Sequence, residues 1–188
     1  MNLFALDQDP GTAAIALVDS HVVKMVLETA QILSTVHHMH NPTPPPASYR
    51  PTHKHHPCVL WAAACSENYA WSVEHGLAIA AEYTHRYGKM HKSEAVLRAL
   101  LNAPPSLPSI SLQPFAQAMP DVFKRENSVE AYRSYYREAK RPLHRWTRRE
   151  APEWIDYYPA VRKRRISSQN AQGEARADNA APPKPPTQ

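Results

Sequence analysis

Apolar residues recur at helical spacing through DSHVVKMVLETAQILST, residues 19–35. Val22, Val23, Val26, Leu27, Ala30, Ile32 and Leu33 make most of that helix surface apolar. At about 100° per residue, His21 and Glu28 fall within about 20° of each other, two turns apart on one face. At least one of the two therefore sits against the interior. A buried carboxylate needs a partner or a task. Glu28 is either satisfied structurally, with Lys24 one turn away, or a group with perturbed acid-base chemistry.

The same patterning predicts the other elements. Asp9-Pro10 is a cap followed by a first-turn proline and starts a short helix over 10–17. Asp19 or Ser20 caps the next helix, which runs to about His38. Residues 58–88 are helical with a break near Ser66, whose hydroxyl caps a helix from Glu67 to the terminal glycine Gly88. On that helix Trp71, His75, Ala78, Glu82 and His85 share one face, so His75 and Glu82 repeat the seven-residue relation of His21 and Glu28. Two such faces can meet. Ser93 caps a short helix to about Asn102, and a last helix over 128–146 carries Val129, Tyr132 and Tyr136 on one stripe, with Pro142 kinking or ending it. Trp146, Trp154 and Ile155 are expected to pin the following segment to the body.

Composition narrows the class. Four glycines against 19 prolines, with few β-branched runs outside the helical patterns, predict an all-α fold. The expected architecture is a compact single-domain bundle of about five helices joined by proline-rich loops, over residues 1–160. Residues 161–188 are polar, proline-rich and charged, and read as a disordered basic tail. The net charge of +5 sits largely in that tail: before Val161 there are sixteen basic and fifteen acidic residues. Such a body gives little long-range attraction to a polyanion, which favours a small substrate over duplex DNA. Cys58 and Cys65 read as reduced core thiols. With no basic-then-apolar leader and no long apolar run, neither secretion nor membrane insertion is expected, and the chain is placed in the cytoplasm. Nothing in the pattern fixes an oligomeric state.

Candidate chemistry clusters in three places besides Glu28 and His21. The loop from Asn41 to Pro57 holds six prolines and ends in YRPTHKHHP, where Tyr49, Arg50, His53 and His56 suit a phosphate or a base. Trp71 and His75 lie on the second long helix, where packing is the simpler role for such an aromatic. Arg86, Tyr87, Gly88, Lys89, His91 and Lys92 form a basic turn, either a solvated helix end or an anion site. A metal would have to draw on His37, His38, His53, His55 and His56. Their spacing matches no fixed ligand pattern, so no metal and no cofactor are expected.

Asp19, His21 and Glu28 form an Asp-x-His-x6-Glu motif in an N-terminal helical hairpin, followed by an aromatic-rich helix ending in EYTHRYGK. With the supporting tract Tyr49, Arg50, His53, His56 and Pro57, this resembles the small all-helical phage pyrimidine-dimer DNA glycosylases of the endonuclease V class and their bacterial relatives, over roughly residues 1–90. HVVKMVLETAQ, THKHHPC, EYTHRYGK and FAQAMP are also similar to a widespread family of tailed-phage proteins, through Trp154. The resemblance implies that Glu28 is the essential carboxylate, that His21 helps bind the lesion, and that the chain works in an infected bacterial host. In that family the nucleophile is the α-amine of a small residue exposed by methionine removal, and arginines flank the glutamate. Here Asn2 follows Met1, Leu27 precedes Glu28 and Gln31 lies three residues after it. The expectation is accordingly a carboxylate-assisted glycosidic cleavage, by a glycosidase-type enzyme, in a nucleobase-containing substrate. That substrate is DNA or a free nucleotide such as an ADP-ribose-type host defence signal, cleaved as counter-defence. Gln31, Lys24, Tyr49, Arg50, His53, His56, Trp71, His75, Arg86 and Lys89 are the candidate substrate contacts. A DNA repair glycosylase or a base-modifying transferase is the close alternative, and a non-catalytic nucleotide-sequestering or DNA-binding protein the alternative from another class.

Overall fold

Asp9 accepts a 2.7 Å hydrogen bond from the Thr12 amide, and Pro10 occupies the first helical position, so α1 (Pro10–Ile15) starts where the sequence predicts. In the computed structural model residues 1–155 are described, and the tail expected over 161–188 lies outside them. Five further helices follow: α2 (Asp19–His40), α3 (Pro57–Ala62), α4 (Ser66–Tyr87), α5 (Glu94–Ala99) and α6 (Ser128–Glu138), with 3-10 turns at Asp121–Phe123, Arg141–Leu143 and Glu153–Ile155. There is no strand among the described residues. The fold is all-α and compact, and none of its described helices is long and apolar enough to cross a membrane.

Several caps differ from expectation. Val18 is the N-cap of α2 and Asp19 lies inside the first turn, its carboxylate taken by tertiary partners instead. Cys65, not Ser66, caps α4, with its sulfur 3.5 Å from the Asn68 amide; Gly88 ends that helix at φ +68°. Ser93 makes no capping bond, and α5 stops at Ala99. The last helix ends at Glu138, eight residues early. Pro142 has no N–H to return to the Glu138 carbonyl, the chain leaves helical geometry at Lys140 (φ −97°, ψ 1°), and it continues as a 3-10 turn.

The two 22-residue helices α2 and α4 form the scaffold, with α1 against α4, and α3 and α5 each touching both. Their crossing depends on Gly76, where a Cβ would stand 2.9 Å from Thr29 Cγ2 and 3.1 Å from Leu97 Cδ2. Val23 and Leu27 are 45% and 39% exposed, so the buried stripe of α2 is narrower than its apolar content suggests. Tyr132 and Tyr136 of α6 are buried as predicted, Trp146 and Trp154 pack on the core, and Cys58 and Cys65 are free and buried.

Replacing Gly76 with alanine tests the crossing. The better helix former gains about 1 kcal/mol, but a methyl forced against the stiff Thr29 side chain costs about 1–3 kcal/mol. The expected net is a fall in melting temperature of a few degrees. An unchanged or raised melting temperature would show that the helices can separate there at no cost.

Candidate active site at the N-terminal segment

The first residues are buried in the bundle: Asn2 is 7% exposed, and Leu3, Phe4, Ala5 and Leu6 are 4% or less. Each surrounding element holds them. The Asn2 side chain accepts from the Leu3 and Phe4 amides at 2.8 and 3.0 Å and donates to the Ala118 carbonyl at 2.8 Å. His75 of α4 faces the Leu3 carbonyl with Nε2 (2.8 Å) and the Pro10 carbonyl with Nδ1 (3.0 Å), while Trp71 Nε1 donates to the Gln8 carbonyl. From α6, Arg133 donates to the Leu6 carbonyl and pairs with Asp7, both at 2.8 Å. Phe4 takes φ +45°, a conformation that costs an L-residue about 1–3 kcal/mol and persists because these bonds over-determine it.

Against this segment lies Glu28, 7% exposed. Its Oε2 accepts from the Asn2 amide at 2.9 Å and stands 3.7 Å from the Met1 amine, and its Oε1 is 3.2 Å from Lys24 Nζ. Because Lys24 is 68% exposed on its side chain, that pair is screened, and the inner oxygen with its two nitrogens is the distinctive contact. His56 approaches from the proline-rich loop. Burial lowers its pKa, the Met1 amine and His53 lower it further, and Glu28 opposes them, so its ring is within electrostatic reach of the same amine and carboxylate. Cys58 lies alongside, its thiol pushed up to about 12 chiefly by burial and so unreactive at neutral pH.

His21 is on the same buried side of α2. Its ring stacks on Phe4 at 4.3 Å, and its Nδ1 bonds the Tyr136 hydroxyl. Burial, helped by Lys140 and Lys24, lowers its pKa to about 4, so the imidazole is neutral at neutral pH. Lys140 Nζ lies 4.7 Å from the centroid of Tyr135 and 6.0 Å from that of Phe4, and forms no ion pair with a described carboxylate.

The remaining candidates divide by position. Tyr49 staples the loop along α2 and onto the start of α5: its amide donates to Ser34 Oγ, its hydroxyl to Ser93 Oγ, and its carbonyl accepts from His38. Arg50, His53 and Lys89 are exposed, and Gln31 is half-buried one turn beyond Glu28. Trp71 (5% exposed) and His75 (0%) are enclosed by the N-terminal segment, Trp61 and Phe115, and present no surface to a ligand. Arg86, expected in an exposed basic turn, is 2% exposed and bonded to Glu82, Asp19 and the Ile15 carbonyl. Glu82 in turn pairs with Arg149 at 2.8 Å, so the second His/Glu face meets α1 and residues 146–149. Among the described residues no three His, Cys, Asp or Glu converge as a metal site. His37, His38, His53 and His56 bond separately to Tyr69, the Tyr49 carbonyl, Thr52 and the Cys58 amide.

The residues that carry this geometry fall in the first half of the chain, and the model of the pyrimidine dimer DNA glycosylase family matches residues 1–95 of the 188. The chain belongs to that family. No curated protein and no solved structure matches it. Family membership gives the chain a DNA glycosylase-type function. The tyrosines around His21, the Ala118 carbonyl and Lys140 all come from beyond the matched residues. Sequence reading singled out neither Phe4 nor Lys140; the apolar run NLFAL ahead of Asp9-Pro10 was the available signal that the N-terminus is buried.

The neutral His21 makes the fold sensitive to acid. Unfolded, the ring takes a proton near its usual 6.5; folded, only near 4. Between those values the unfolded chain binds more protons, so stability is full above about pH 6.5 and falls toward pH 4, by roughly 3 kcal/mol from this residue. His37, His56 and His91, also lowered by burial, add to the loss. For Asp19 and Glu82 burial raises the pKa, but bonds from Thr147, Arg149 and Arg86 outweigh it, so their contribution is lost as the pH falls through and below their usual values of 3.8 and 4.5. Melting temperature should drop between pH 7 and 4.5, and His21→Gln should flatten the drop. An equally steep profile in that variant would contradict a buried neutral imidazole.

Proposed function

We propose that the chain cleaves the glycosidic bond of a pyrimidine in dimer-containing DNA, with Glu28 as the carboxylate that stabilises the cationic sugar. The observation that carries this reading is Glu28 Oε2 at 2.9 Å from the Asn2 amide and 3.7 Å from the Met1 amine, against the buried N-terminal segment. As the base departs with the bonding electrons, positive charge develops at the anomeric carbon and its ring oxygen. A carboxylate fixed beforehand in a partly desolvated site stabilises that charge without reorganising. Lys24 beside Oε1 and His56 near the amine supply polar groups for the departing base or an adjacent phosphate. His21, neutral and hydrogen-bonded to Tyr136, orients Phe4 and through it the N-terminal segment.

A second route is favoured by the Met1 amine lying 3.7 Å from Glu28. An amine at this end of the segment attacks the anomeric carbon, a nitrogen–carbon bond forms as the glycosidic bond breaks, and Glu28 takes the proton the nitrogen sheds. The two routes differ in whether the sugar becomes bonded to the protein. DNA is preferred to a free ADP-ribose-type nucleotide because the family match supports the former and gives nothing for the latter.

Glu28→Gln keeps size and most hydrogen bonding while removing the charge. Turnover on dimer-containing duplex should fall about a hundredfold or more with melting temperature little changed. A variant of lower melting temperature that is fully active per folded molecule would assign Glu28 a structural role and defeat the proposal.

A further inference from the structure

Residues 141–149 form a strap that the family match does not reach, and its side chains divide by direction. Trp146 Nε1 donates to the Ala16 carbonyl at 3.0 Å. Thr147 gives its amide and hydroxyl to Asp19 at 2.9 and 2.7 Å, and Arg149 forks onto Glu82. The Arg145 carbonyl accepts from the Asp19 amide at 2.9 Å. These bonds fix the strap across the N-terminus of α2 and leave Arg141, Arg145 and Arg148 outward and exposed. Arg141 forms no side-chain bond to a described residue. Arg148 donates to the His85 carbonyl and meets no carboxylate, and Arg145, 81% exposed, reaches Asp19 only at 3.4 Å.

Beside Arg145 lies a hollow of about 340 Å³ lined by Asp19, Ser20, Tyr87, Leu143, Arg145 and Thr147. Its one carboxylate, Asp19, is shared by Arg86, Thr147 and Arg145, while Arg141 and Arg148 pair with no described carboxylate. From this hollow an exposed stripe of α2, Ser20, Val23, Lys24 and Leu27, leads to Glu28. Glu28 lies nine positions after Asp19, about 14 Å along the helix at 1.5 Å per step. That is roughly four nucleotides along one DNA strand at 3.4 Å apiece.

We propose that this strap is a second DNA-binding surface, in which Arg141, Arg145 and Arg148 hold the phosphates of the strand whose base is presented to Glu28, about four nucleotides from that base. It rests on the DNA reading above. The strap is pinned before any ligand arrives, so binding there costs little ordering, and its role is to set register while Glu28 does the chemistry.

The test is the salt dependence of binding to short undamaged duplex DNA, which involves no lesion chemistry. Replacing Arg141, Arg145 and Arg148 together by glutamine should lower the slope of log K against log salt by about 0.9 per residue. Replacing all three by lysine should restore it. Arg141→Gln alone, which breaks no bond to a described residue, should lower the slope by about 0.9 with melting temperature unchanged, so the test survives if the triple glutamine variant is destabilised. Unaltered slopes in these variants would overturn the strap proposal while dimer cleavage by the wild type still stood. Wild-type protein that binds duplex with no salt dependence would overturn it as well, and absence of dimer cleavage by the same preparation would separately defeat the proposed function.

Discussion

One contact organises the molecule: the carboxylate of Glu28 against the backbone nitrogen of Asn2. A carboxylate that is 7% exposed loses hydration it must recover from the protein, and its nearest charged side chain, Lys24, is too exposed to supply much. Recovery comes from the start of the chain, so that start has to be rigid. Chain ends fray unless tied down, and ordering the backbone of each residue costs about 1–2 kcal/mol. Burying Leu3, Phe4 and Leu6 returns about 1.5–3 kcal/mol apiece, and Asn2, His75, Trp71 and Arg133 satisfy the polar backbone that goes in with them.

The helices and their order were readable from the apolar spacing, because α2 and α4 are long enough for the 3.6-residue period to show against the loops. Glu28 and His21 were readable as buried polar groups on one face for the same reason. Their partners were not. Periodicity places a residue on a face but does not say that the facing element is the N-terminus, nor that Tyr136 arrives from 115 residues away to hold His21. Arg86 shows the converse error: the turn that follows it is basic and polar, but Glu82 on its own helix with Asp19 and the Ile15 carbonyl from across the bundle hold it inward. Trp71 and His75 followed the structural alternative that their helix face always allowed.

Burial also changes the meaning of the net charge. Counted along the sequence the body is nearly neutral, but among the described residues Glu28, Glu82 and Glu94 are buried, whereas of the lysines and arginines only Arg86 is. The exposed surface is therefore more basic than the count, and part of that excess sits on the strap beyond the family-matched half. The arginines that the family carries beside its glutamate are absent from α2 here. Lys24 on α2, Lys140 near His21 and the strap arginines place positive charge around the same helix from other elements. Local fields of this kind, rather than total charge, decide whether a polyanion is drawn to a site.

The central claim is that a glycosidic bond at a pyrimidine dimer is broken beside Glu28 and the N-terminal segment. Its most direct measurement is incubation of the full chain with a duplex carrying one dimer, in the presence of borohydride, followed by mass analysis of DNA and protein. Formation of an abasic sugar at the dimer, its former base still held through the dimer partner, with none formed in the undamaged duplex, is the expected result. A reduced protein–DNA adduct mapped to the N-terminal residue would assign the bond-breaking to the amine, and an abasic sugar without adduct to the carboxylate-assisted route. A dimer duplex left intact by folded protein would contradict the account.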